Sequence, residues 1–96
     1  MIKHIVMWKV KETNKKANTQ RIKEILEALP TQIPEIIKLE VGINVNTGAA
    51  AYDVVLYSAF DSVDALNIYQ DHPAHQKVKE FIGSVVSERA VVDYER

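Results

Sequence analysis

Three histidines and one nearby tyrosine are the residues of this chain best suited to proton-transfer chemistry. His72 and His75 lie three apart, Tyr69 precedes His75 by six positions, and His4 stands near the other end of the chain. Free histidine titrates near ~6.5, so an imidazole can take a proton from a carbon acid at neutral pH. A tyrosine hydroxyl can donate a hydrogen bond to the enolate oxygen that forms. If the chain is an enzyme, the chemistry this set can carry is cofactor-independent acid–base catalysis, with His75 and Tyr69 as the candidate catalytic residues. His4, Trp8 and His72 are the expected ligand contacts, and the expected ligand is a small hydrophobic carbonyl compound.

Each residue also has a structural alternative. His72 stands before a proline, where its side chain can cap a helix. His4 lies on an otherwise apolar strand face, the usual setting of a hydrogen-bonded core histidine, and Tyr69 can be a core residue with its hydroxyl at the rim. His75 has the weakest structural explanation, because Ala74 and Val78 already supply apolar neighbours. Three imidazoles also raise metal binding. Catalytic zinc takes ligands oriented by second-shell partners, and only Asp71 is placed in the sequence to act as one. No metal and no cofactor is expected.

The elements that must position these residues follow from periodicity. Residues 2–10 alternate as a strand, with Ile2, His4, Val6, Trp8 and Val10 on one face. Ile22, Ile25, Leu26, Leu29 and Ile33 mark an amphipathic helix from 14 to about 29, stopped by Pro30 and Pro34. Strands are predicted over 36–45 and about 51–60, separated by the turn residues Asn46-Thr47-Gly48. Asp61 or Ser62 caps a helix through Tyr69; His72-Pro73 breaks it and starts another, which runs to about Ser87. A last strand is predicted at about 89–94. The order is βαββαβ, a single α+β domain over 1–96 of ferredoxin-like type, with an antiparallel sheet and its second helical region broken in two.

Helices cover one face of such a sheet. Ile5, Met7, Val55, Tyr57, Val92 and Tyr94 would fall on the other face as an exposed apolar patch, which monomers rarely tolerate. A homodimer that buries this face between two sheets is therefore expected.

Four stretches together resemble the stress-responsive dimeric α/β-barrel (Dabb) family. They are Ile2-Lys3-His4-Ile5-Val6, Ile33-Pro34 through Leu39-Glu40-Val41-Gly42, Tyr69-Gln70-Asp71-His72-Pro73-Ala74-His75, and Val91-Val92-Asp93-Tyr94. The resemblance covers nearly the whole chain and implies a ferredoxin-like domain whose sheet pairs face to face across a dimer into a barrel. Plant members of that family include a stable protein that assembles into rings, and a polyketide cyclase that closes an aldol ring without metal or cofactor. The cyclase's working histidine and tyrosine fall on His75 and Tyr69, and two auxiliary histidines fall on His4 and His72. A further strand histidine of the cyclase is matched here by Val54, and its helical aromatics by Ile22, Ile25, Leu26 and Leu29. The resemblance therefore implies the family and does not transfer the polyketide substrate. It leaves two further readings, a non-catalytic stress-associated assembly and a cofactor-free monooxygenase-like barrel.

Composition narrows the partners. The net charge of −1 and the interspersed charges lack the clustered basic face that nucleic acids need, and Lys9, Lys11, Lys15 and Lys16 read as a solvated approach to the first helix. With no cysteine, neither disulfides nor thiol chemistry contribute. No apolar run approaches the ~20 residues of a membrane span, and Met1–Lys9 is too short and charged for a signal peptide. A cytoplasmic location is expected.

Overall fold

In the computed structural model, which describes residues 1–96, four strands form one antiparallel sheet in the order β2-β3-β1-β4. The elements are β1 (Ile2–Val10), α1 (Lys15–Glu27), β2 (Lys38–Ile43), β3 (Val54–Phe60), α2 (Val63–Asp71), α3 (Pro73–Val85) and β4 (Val86–Glu95). β1 alternates as its sequence requires: Ile2, His4, Val6, Trp8 and Val10 are all buried, while Lys3, Ile5, Met7 and Lys9 face away. The helices cover the buried face. Ile22, Leu26, Leu29 and Ile33 are each at most 1% exposed. Full burial stabilises each such side chain by about 1.5–3 kcal/mol, and Leu26→Ala is expected to cost about 2–5 kcal/mol.

Several boundaries move from their sequence-predicted positions. α1 ends at Glu27, and Pro30, which has no N–H to continue the helical ladder, sits in a 3₁₀ turn over Leu29–Thr31. The second strand is six residues long, and Val45, expected at its end, is 96% exposed. The Asn46 N–H donates to Asn44 Oδ1 at 2.7 Å, a local turn that carries the chain off the sheet before Val45 can pair. β3 starts at Val54; just before it the Asp53 N–H donates to the Trp8 carbonyl at 2.8 Å and Asp53 Oδ2 accepts the Val10 N–H at 2.7 Å. α3 stops at Val85, and β4 begins at Val86, three residues before its predicted start. The nine residues of β1 supply β4 with pairing partners along its length.

The free edge of β2 is closed by a helix. Lys23 Nζ donates to the Val41 carbonyl at 2.8 Å, and Glu27 Oε2 accepts the Val41 N–H at 3.3 Å. A 2.9 Å ion pair joins the two side chains, and the lysine beside it holds the Glu27 carboxyl below its ordinary value. An exposed strand edge invites pairing with another chain, and this clasp blocks one such position.

The opposite sheet face carries the apolar set anticipated from the sequence. The registers Ile5↔Tyr57, Met7↔Val55, Ile5↔Val92 and Lys3↔Tyr94 place all six residues on it. Val92 is 60%, Tyr94 44%, Met7 37% and Val55 36% exposed. No helix of the chain is long and apolar enough to cross a membrane.

Candidate active site

The site is built where the second helical region breaks. Ser62 starts α2 by accepting the Ala65 N–H at 3.1 Å. Pro73 lacks an N–H and forces its predecessor out of helical geometry, so His72 is extended at φ −63°, ψ 136°. α2 ends and α3 begins on this one residue. The bend brings Tyr69, from the last turn of α2, against His75, from the first turn of α3. Their rings stack at a centroid distance of 4.1 Å and 24°.

β1 brings His4 to the same place. Its ring meets the edge of Tyr69 at 6.0 Å and lies 6.5 Å from Phe60, which packs on Tyr69 at 5.0 Å. His4, Tyr69 and His75 are all buried, and with Trp8 they line one cavity of about 300 Å³ between the sheet and the helices. Val6, Leu26, Leu56 and Ile82 supply its apolar wall; Lys79, Gly83 and Arg89 are exposed lining residues and mark its mouth.

His72 is not part of this wall. Its Nδ1 accepts the Ala74 N–H at 3.0 Å, so the imidazole caps α3 instead of contacting a ligand. The expected ligand contact is therefore not among the residues that line the cavity; this hydrogen bond holds the ring at the start of α3. No group of three or more His, Asp and Glu side chains comes together in a way that would hold a metal ion.

Sequence reasoning missed Asp93. β4 pairs Asp93 directly with His4, and the Asp93 Oδ1 carboxylate accepts the hydrogen bond of His4 Nδ1. This bond orients the imidazole and leaves Nε2 as the ring nitrogen without a protein partner. Ser58, opposite His4 on β3, donates to the His4 carbonyl at 3.0 Å and is fully buried. Gln70, Lys79 and Arg89 were also missed; only Lys79, four residues after His75 on α3, shared a helical phase with a residue already singled out.

The electrostatics give the rings different tasks. Burial pushes the His75 imidazole down to about 4; the Gln70 carbonyl opposes this, and the nearby Lys79 and His4 act in the same direction as burial. His75 is therefore neutral at pH 7. Its Nδ1–H donates to the Gln70 carbonyl across 3.4 Å, which leaves the Nε2 lone pair free. Burial raises the Tyr69 phenol above the ordinary tyrosine range, with Arg89 partly offsetting it, so the hydroxyl stays protonated. That hydroxyl is buried and has no hydrogen-bond partner in the protein. An unpaired buried hydroxyl costs about 1–3 kcal/mol, so folding alone does not account for it.

Comparison with known proteins places the fold in a family. The model of the Dabb family, the stress responsive A/B barrel domain, matches residues 2–96. This chain belongs to the Dabb family. A dimeric Bacteroides fragilis protein of unknown function with a ferredoxin-like fold is 37% identical, with a TM-score of 0.91 over 99% of this chain and 95% of that one. An uncharacterised Streptomyces coelicolor protein is 35% identical over 78 residues, 79% of this chain and 80% of its own length. The hydroxynitrile lyase of Passiflora edulis has the same fold, with a TM-score of 0.86 over 97% of this chain and 90% of that one, at 18% identity. The Dabb match and the ferredoxin-like fold agree with what the motifs of this chain implied.

Proposed function

We propose that this Dabb protein catalyses cofactor-independent proton transfer on a small hydrophobic carbonyl compound bound in the cavity beside Trp8. The observation that carries the reading is the Tyr69 hydroxyl: buried, protonated, without a partner, and stacked beside a neutral imidazole. A substrate carbonyl oxygen would satisfy it.

In this reaction the C–H bond next to the substrate carbonyl breaks. Its electron pair moves into the new C=C bond, and the carbonyl pair moves onto oxygen as an enolate. The proton goes to His75 Nε2, while the Tyr69 O–H donates to the enolate oxygen, a contact that strengthens as charge develops. Return of the proton to carbon completes exchange or isomerisation; in aldol-type closure the enolate carbon instead bonds to a second carbonyl carbon, the pair of that C=O moves onto its oxygen, and the oxygen takes the proton from His75 Nε2. His4, held by Asp93, is a second imidazole at the same cavity and supplies another position for a proton in transit. Trp8, Leu56 and Ile82 exclude water around the reacting atoms.

The active form in this proposal is a homodimer joined through the apolar sheet face; its 37% identical relative is dimeric, and the exposed Met7, Val55, Val92 and Tyr94 argue for the face. An open cavity lined by four polar aromatic or imidazole side chains favours an enzyme over a purely structural assembly unit.

The test is isotope exchange. A panel of small ketones and oxo acids is incubated with the protein in D₂O, and loss of the α-proton signal is followed by NMR. Wild-type protein is expected to accelerate exchange for at least one member, and His75→Gln and Tyr69→Phe to slow it by about 10²-fold or more. Exchange that survives in both variants would overturn the reading.

A further inference from the structure

The mouth of the cavity carries charge that proton transfer does not use. Lys79 on α3 and Arg89 on β4 both line it, and both are exposed. The ion pairs of the chain engage Lys9, Lys15, Lys23 and His4, and neither Lys79 nor Arg89 takes part. Arg89 stands across from Trp8 in the β1–β4 register, with no acid opposite it. The carboxylate on the same strand face, Asp93, lies two pleats away and is bonded to His4. Both cations reach the reacting groups electrostatically, Arg89 acting on the Tyr69 phenol and Lys79 on the His75 ring. Two unpaired cations at the rim of an apolar cavity attract an anion with an apolar body.

We propose that the cavity selects a small monocarboxylate, its carboxylate held at the mouth between Lys79 and Arg89 and its apolar part against Trp8, Leu56 and Ile82. The planar guanidinium of Arg89 suits a carboxylate because it offers two parallel N–H donors. A volume of about 300 Å³ equals roughly ten water volumes, which limits the ligand to about ten non-hydrogen atoms. This inference rests on the acid–base reading for the position of the carbonyl. It adds to that reading the class of substrate, an oxo acid.

The experiment uses a matched pair of probes, 3-phenylpropanoate and 3-phenylpropanamide, which differ in charge and hardly in shape. Binding to the full chain is followed by fluorescence of Trp8, the only tryptophan. The carboxylate is expected to bind about tenfold more tightly than the amide, and added salt to weaken only the carboxylate. In the double variant Lys79→Gln, Arg89→Gln, the preference is expected to fall to about twofold or less, with an unchanged circular dichroism spectrum because both side chains are exposed. Equal binding of acid and amide by the wild type overturns the anion proposal and leaves the acid–base reading standing. So does a preference that survives in the double variant. If the carboxylate is preferred but no carbon acid exchanges, the acid–base reading fails and the anion site stands. If neither probe binds, the anion proposal falls and isotope exchange decides the acid–base reading.

Discussion

His4 and Asp93, 89 positions apart in the chain, face each other across β1 and β4, and the buried imidazole donates its Nδ1 proton to the half-exposed carboxylate. The pair ties the last strand to the first beside the cavity and holds the His4 ring in one tautomer. Asp93→Asn keeps an acceptor in place and removes the charge. It is expected to cost about 1–2 kcal/mol in urea denaturation and to slow proton exchange by about tenfold or more. An unchanged exchange rate would show that the dyad is structural.

Tyr69→Phe separates function from stability. The hydroxyl has no protein partner, so its removal breaks no hydrogen bond and relieves a buried unsatisfied group. Folding stability is expected to stay level or rise by up to about 1 kcal/mol, while exchange falls about 10²-fold. A large loss of stability instead would mean that the hydroxyl is bonded in solution and that Tyr69 serves the core.

His75 makes stability depend on pH in a defined window. Its folded value of about 4 lies below the ordinary 6.5, so between these pH values the unfolded chain binds a proton that the folded chain refuses. Stability is complete above pH 6.5 and is lost as pH falls toward 4. The loss is up to about 3 kcal/mol by linkage, and smaller to the extent that solvent in the open cavity screens the ring. Thermal melts of wild type and His75→Gln are expected to diverge in slope across this window. The acid limb of activity is expected near pH 4 if His75 is the base; a limb near 6.5 would assign the proton to another group.

His72→Ala distinguishes a cap from a ligand contact. Loss of the hydrogen bond to the Ala74 N–H is expected to cost about 1 kcal/mol, the ordinary effect of an N-cap deletion. Binding of 3-phenylpropanoate, read by Trp8 fluorescence, is expected to remain within about twofold of wild type. A larger change in affinity would return His72 to the site.

Met7→Asp combined with Val55→Asp tests the sheet face. Both positions are exposed in the single chain and directly paired in the β1–β3 register. Light scattering at micromolar concentration is expected to give a dimer mass for wild type and monomer or aggregate for the variant, because an unpaired charge in an apolar interface is strongly unfavourable. A monomeric wild type would remove the dimer.

Local pattern alone determined most of the architecture. The alternation through Ile2, His4, Val6, Trp8 and Val10 is a period of two within one strand. The spacing of Ile22, Leu26 and Leu29 is a helical period, and a proline after His72 restricts its neighbour wherever the chain goes. These signals depend on residues a few positions apart, so they are legible without the fold, and they placed His4, Trp8, Tyr69 and His75 around one cavity. What they could not carry is register. Asp93 meets His4, and Arg89 meets Trp8, because β4 pairs with β1 in one particular alignment. A slip of one residue would turn Val92 toward His4 and Asp93 toward the open face. That alignment joins residues 81 and 89 positions apart, so no signal confined to a few neighbouring residues reveals it. The cap formed by His72 is a local bond that its place before Pro73 already offered; the carboxylate behind His4 and the cationic mouth were decided by the tertiary structure.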